Sequence, residues 1–296
     1  MGLIYDFAFA ELAIKFLETD DANYLKTIAE LDATEHIFSH ALQFNYDMPS
    51  SKLEFVTGLL TPCAERKEAL AQVIKNIDYA KKHIVTGIAE KITLQFLPKN
   101  FSFSSSLFFT FGYDIGVAYG NNCSLNLAHP IFSNNKNEIK YYAIHELHHA
   151  GFIMLKGGYM PSLKISSRKE MAHIIEYLTH LEGMGTYAAL EMREQENAMN
   201  AKDYIALQDP KLMDSLIKEY FNIYHYFKNN PDEKLVEEDW HKIEIMSDIR
   251  RLWYKVGAHI AKTIDQQHGR EYLTSLIAGL SENFLASYSN LTRGVR

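Results

Sequence analysis

His145-Glu146-Leu147-His148-His149 is the stretch whose residue types and spacing can do chemistry. It reads H-E-x-x-H inside a run that predicts helix. On a helix, residues four apart share one face, one turn above the other. His145 and His149 can therefore aim two imidazole nitrogens at one metal ion. Glu146 falls beside that metal rather than on it, where its carboxylate can take a proton from a metal-bound water. The chemistry implied is hydrolysis by a zinc-activated water, with one Zn2+ as cofactor.

The flanks show what positions these residues. Tyr141-Tyr142-Ala143-Ile144 and Ala150-Gly151-Phe152-Ile153-Met154-Leu155 are apolar, so the helix is expected to be mostly buried. Asn135 with Glu138 predicts an Asn version of a capping box at its start. Gly157-Gly158 and Pro161 predict its end. Burying three histidines and a glutamate is costly unless they are paired or bound to metal. The competing reading is a solvated or hydrogen-bonded His/Glu face, and the apolar flanks oppose it. His148 lies roughly 60° from His145 and 100° from His149 around the helix. It is expected beside the site rather than on the metal.

A catalytic zinc takes three protein ligands and keeps one position open for water. The segment Met171 to Glu196 offers His173, Glu176, His180, Glu182 and Glu191. Glu182 is the choice, because Gly183-Met184-Gly185-Thr186 follows it. Glycine in a helix costs about 0.8–1 kcal/mol relative to alanine, so two of them point to close approach of another helix backbone. Glu176 and His180, four apart, are the rival pair for ligand or supporting roles. His36 and His40 also share a helix face, but no Glu follows His36; a surface or packing pair is expected.

Composition bounds the rest. The 296 residues are 47% hydrophobic and 23% charged, ordinary globular values. A net charge of −7 without a long basic run argues against nucleic acid or anionic membrane as the main partner. Cys63 and Cys123 have no C-x-x-C partners and read as structural thiols. No transmembrane segment is expected. The first seventeen residues carry Asp6 and Glu11 and no basic leader, so they read as folded helix rather than signal peptide. A complete chain is expected to be cytoplasmic; a trimmed leader would leave secretion open.

The elements predict an α+β, mostly helical fold. Residues 1–90 form an N-terminal helical region. Residues 91–165 hold a small antiparallel sheet and the H-E-x-x-H helix, and 166–296 form a C-terminal helical subdomain that supplies the third ligand. The whole of 1–296 is expected to act as a single unit. Ile92, Leu94 and Phe96 alternate as in a strand. Leu107 to Phe111 is a short aromatic strand. Gly116 to Tyr119, the turn 120–122 and Ser124 to Ala128 read as a hairpin. After Ser166, helices are expected over about 168–197, 211–229, 232–265 and 270–289, with breaks at Asp209-Pro210 and Asn229-Asn230-Pro231-Asp232. Ser124 to Ala128 is expected at the sheet edge along the site, where an extended peptide can add as a strand. The helix around Tyr254 is expected to form the facing wall.

Three features carry a resemblance. A strand and His-Pro, Asn126-Leu127-Ala128-His129-Pro130, precede the His-Glu-x-His-His helix. Leu181-Glu182-Gly183-Met184-Gly185-Thr186-Tyr187 lies downstream. Tyr254-Lys255-Val256-Gly257 and Gly269-Arg270-Glu271 follow near the C-terminus. With these in place the chain resembles gluzincin-type zinc metallopeptidases, and more narrowly bacterial zinc-dependent peptidase families of unknown function. The resemblance implies a zincin-like fold in which His145, His149 and Glu182 hold zinc and Glu146 is general base and proton shuttle. It also favours Tyr254 as the donor that stabilises the oxyanion, with His259 and Tyr187 as alternatives. Position 186 is Thr where the best-known gluzincins carry Asp. Three function classes compete: a zinc-dependent peptidase acting on peptide or protein, a metal-dependent hydrolase of another substrate, and a non-catalytic helical binding protein. Substrate is what the motif does not encode.

Overall fold

The computed structural model describes residues 2–44, 48–61 and 66–293; Cys63 lies outside them. The chain divides into two compact units, one of residues 1–94 and 101–158, the other of 95–100 and 159–296. The fold is mostly helical α+β, with one small sheet.

In the first unit the order is β1 (Gly2–Asp6), α1 (Ala8–Thr19), α2 (Ala22–Ala29), α3 (Asp32–Gln43), α4 (Lys52–Leu60), α5 (Arg66–His83) and α6 (Ile88–Gln95). Then come β2 (Ser104–Thr110), β3 (Gly116–Tyr119), β4 (Asn122–Asn126), α7 (Pro130–Asn134) and α8 (Asn137–Leu155). The sheet runs β1-β2-β4-β3. It is mixed, not antiparallel: β1 pairs parallel with β2 and β2 parallel with β4, and only the β3–β4 hairpin is antiparallel. The hairpin is the predicted one, closed by Gly120 at φ 60°, as a two-residue turn requires.

Three expectations fail here. The N-terminus begins as a strand, because Leu3 and Tyr5 register against Ser105 and Leu107 of β2. Residues 91–95 are helical, not extended: the buried positions of α6 are Ala89 and Thr93, one turn apart, and the Thr93 hydroxyl donates to the Ile144 carbonyl. The Ile92/Leu94 alternation was a coincidence of composition. The segment starting at Ser124 belongs to β4, an inner strand flanked by β2 and β3, so the free edge beside it is β3.

Opposite faces of the sheet carry different helices. Period-two alternation turns Leu107 and Cys123 one way and Phe108 and Val117 the other. α3 lies on the Phe108 face: the His36 ring sits 5.5 Å from that of Phe108, and His36 hydrogen-bonds the Val117 backbone. The His40 Nδ1 lies 3.0 Å from the Tyr113 hydroxyl. The two histidines are 5% and 8% exposed, a buried packing pair rather than a surface one. Burial pushes their pKa values down, to about 4 for His36 and about 3 for His40, where the charge of His36 adds to the effect.

α8 lies on the other face, against β3 and β4. It begins two residues later than its predicted cap. The Asn135 side chain accepts the Asn137 N–H at 3.1 Å, and Glu138 is buried. Its end is as predicted: Gly157 and Gly158 take φ of 68° and 80°, and their N–H groups donate to Met154 and Ile153.

The second unit contains α9 (Arg168–Gln195), α10 (Lys202–Ile205), α11 (Pro210–Lys228), α12 (Glu237–Glu244), α13 (Leu252–His268), α14 (Arg270–Ser275) and α15 (Ser281–Arg293). Ser167 and Glu170 form a full capping box at the start of α9. The expected helix over 232–265 is broken. After α12 comes a π-helical turn, Ile245–Ile249, and then Arg251 at φ 53°. α9 and α13 pack closely, and their contact point is glycine on glycine. A Cβ added to Gly183 would stand 2.4 Å from the Gly257 carbonyl carbon. The small residues after Glu182 therefore admit the α13 backbone.

Two outcomes follow from this packing. Gly183→Ala should lose about 1–3 kcal/mol through forced separation of the two backbones, lowering Tm by several degrees. Gly58→Ala in α4, where an added Cβ meets nothing within 4 Å, should hold or raise it; equal thermal melts would refute the contact. The buried histidines set an acid limit. Their folded pKa values lie below the ordinary 6.5, so above pH 6.5 both states are neutral and nothing is lost. As pH falls from about 6.5 toward about 4 and about 3, only the unfolded chain takes up these protons. Stability drops by about 1.4 kcal/mol per pH unit for each histidine. Urea melts of His40→Gln should show a shallower loss between pH 6.5 and 5 than wild type; parallel slopes would contradict it.

Candidate metal centre

α8 presents its chemistry on one face, as the i, i+4 spacing requires. The His145 and His149 rings meet edge to face with centroids 4.2 Å apart. His149 is buried and His145 half-buried. His148, between them, is fully buried, with its ring 6.3 Å from that of Phe152.

Glu146 is also buried, and what lies against it is glycine. A Cβ built on Gly116 of β3 would come 2.8 Å from the Glu146 Oε1 and Cγ and 3.0 Å from its Cδ. The first residue of the free edge strand thus forms the wall of the carboxylate's seat. Cys123, on the adjacent strand, marks the same place electrostatically. Burial pushes its thiol pKa well up, and the nearby Glu146 charge raises it further. The sequence reading missed Gly116. Its signal was a glycine opening an otherwise regular strand, which marks close approach of another group.

Each candidate on α9 has a distinct place. Glu176 is almost fully buried, and its Oε1 accepts from the Tyr224 hydroxyl and the Lys228 ammonium, both at 2.7 Å. The His180 Nδ1 lies 3.3 Å from the Ser281 hydroxyl, and its ring stacks on Phe284 at 4.4 Å. These two tie α9 to α11 and α15. His173 stands out to solvent, 3.3 Å from the other Glu176 oxygen. Glu191 accepts from Arg270 at 2.6 Å. Glu182 is half-buried.

Among the described residues, one group of three His, Cys, Asp or Glu side chains has ligand atoms all within 4.8 Å of one another. It is His145, His149 and Glu182. Two imidazoles and one carboxylate are a donor set that suits zinc and leaves a fourth position open. His36 and His40 belong to no such group.

The candidate oxyanion donors differ in what already engages them. The Tyr187 hydroxyl donates to Asp265 at 2.7 Å, and burial together with that carboxylate raises its pKa. The His259 ring lies 5.9 Å from that of Tyr288, and burial lowers its pKa. Tyr254 sits half-buried in the first turn of α13, with the Arg251 guanidinium 3.6 Å above its ring centroid.

No helix among the described residues is long and apolar enough to cross a membrane. No curated protein and no solved structure matches the chain. A family model does match, over residues 14–294. With nearly its whole length covered, the chain belongs to the family described as "Putative zinc dependent peptidase (DUF5700)".

Proposed function

We propose that this protein is a zinc-dependent peptidase with a zincin-like site, in which His145, His149 and Glu182 hold one zinc ion. The observation that carries the reading is the clustering of one ligand atom from each of these three side chains within 4.8 Å. The family description and the i, i+4 histidine pair support it independently. In this reading the whole chain acts as one unit, with residues 166–296 supplying the third ligand.

Zinc, if bound by these three residues, would acidify a coordinated water to a pKa of about 7. Glu146 would accept that water's proton and return it to the leaving amine as the C–N bond breaks. Its seat against Gly116 limits the carboxylate to one side, which is the orientation such a transfer needs. The Tyr254 hydroxyl donates to the developing oxyanion. An extended peptide pairs its backbone with β3, the free edge beside Glu146, as in other strand-addition complexes.

Glu146→Gln should keep zinc, read by metal analysis of purified protein, and lose about 10²–10⁴-fold in peptide hydrolysis. His149→Ala should lose the metal itself. Equal zinc loss in the two variants would make Glu146 a ligand or a structural residue and refute its role as base. Gly116→Ala tests the seat. Pushing the carboxylate aside should lower kcat on the order of 10²-fold at unchanged zinc content, and a fully active variant would remove Gly116 from the site.

A further inference from the structure

Four non-glycine residues of the described chain have positive φ: Asp20, Asn100, Asn197 and Arg251. Asp and Asn visit the left-handed region readily because their short side chains hydrogen-bond locally. Arg251 has no such excuse. At φ 53° and ψ 50° it sits between the π-helical turn Ile245–Ile249 and the first residue of α13. Strained residues persist only where their surroundings over-determine them, and π-turns and strain both concentrate at functional sites.

Two contacts hold Arg251 in place. Asp203, on α10, accepts a two-pronged ion pair: Nε lies 2.7 Å from Oδ1 and 3.0 Å from Oδ2, and the second guanidinium arm lies 2.8 Å from Oδ2. Both side chains are largely buried. Such a fork fixes the guanidinium plane as well as its position. The other contact is the Tyr254 ring, 3.6 Å below the guanidinium carbon. The negative charge of Glu182 is also among those that stabilise the cation, after the hydrogen bonds and charge of Asp203; together these outweigh burial. The Arg251 cation thus stands in the field of a proposed metal ligand and on the face of a proposed oxyanion donor.

We propose that Asp203 and Arg251 form a positioning pair for Tyr254. Asp203 locks the guanidinium plane, the plane clamps the phenol ring by stacking, and the left-handed turn at Arg251 brings the guanidinium back over a residue only three positions ahead. An arginine on an ordinary helical backbone would project its side chain toward the preceding turn instead. The cation over the ring also draws electron density from the phenol, which makes its hydroxyl a stronger donor. Lysine cannot replace this arginine, because it has neither the fork nor the plane. The role of the pair in turnover rests on the peptidase reading above; its hold on Tyr254 does not.

The test uses full-length protein and the variants Arg251→Lys, Asp203→Asn, Tyr254→Phe and Arg251→Lys with Tyr254→Phe. In zinc-free protein carrying [13Cζ]tyrosine, the resonance missing from Tyr254→Phe identifies Tyr254. It should move in both Arg251→Lys and Asp203→Asn, and a signal left in place overturns the pair. In the zinc-loaded protein, Tyr254→Phe should lower kcat about 10²-fold, the size expected for loss of one oxyanion donor. Arg251→Lys should lower it about 10-fold with KM and zinc content unchanged, and the double variant should be no slower than Tyr254→Phe alone. Losses that multiply would mean that Arg251 acts by another route. If the loaded wild type cleaves no peptide in a mixed library, the peptidase reading falls with the catalytic use of Tyr254. The resonance then decides the positioning pair alone.

Discussion

The structure turns on the cost of burying ionisable side chains on α8. Glu138, Glu146, His148 and His149 are all withdrawn from water on one helix, and each unmatched buried polar group costs on the order of 1–3 kcal/mol. A helix can carry that load only where a partner, a ligand or a metal compensates each group. On the H-E-x-x-H face the packing itself is specific. Two imidazoles form an edge-to-face pair, and a carboxylate fits against a residue without a side chain. The hairpin of the mixed sheet sets Gly116 opposite Leu125 and brings a backbone without a side chain against Glu146.

The same sheet separates two kinds of histidine. On the α3 face His36 and His40 are neutral, aromatic packing groups, held by the Val117 backbone and the Tyr113 hydroxyl. On the α8 face the histidines come with a carboxylate. Residue spacing is identical in the two pairs, i and i+4. What differs is the company: Phe108 and Phe44 around the first pair, Glu146 beside the second. Among the described residues only the second pair is joined by a third donor, Glu182, in a group that could hold a metal ion.

In the second unit the long α9 serves two tasks at different levels. Its first half is held by carboxylate and hydroxyl contacts, with Glu176 taking Tyr224 and Lys228 and Thr179 meeting Tyr220 at 2.9 Å. Its middle is held by shape, through Gly183 on Gly257. Glu182 lies at the changeover, on the residue before the closest backbone contact. α13 begins only after a π-turn and a left-handed residue, and that interruption sets Tyr254 under Arg251.

Local rules were enough wherever one segment decides its own conformation. The α8 histidine spacing, its two-glycine end, the β3–β4 turn and the start of α9 all follow from neighbours within a few positions. The sequence could not separate helix from strand at Ile92 and Leu94, because both periods fit a five-residue window and the buried position proved to be Thr93. Nor could it disclose that Gly2–Asp6 is a strand, since its partner β2 lies about a hundred residues away. The sequence by itself determined which residues could bind metal and move a proton, because those properties belong to side-chain type and helical pitch. Only the tertiary structure decided that Glu176 is spent on Lys228, that Gly116 faces Glu146, and that Arg251 leaves the helix to cover Tyr254. The first two are contacts between segments far apart in the chain, and the third is held by Asp203, 48 residues before Arg251.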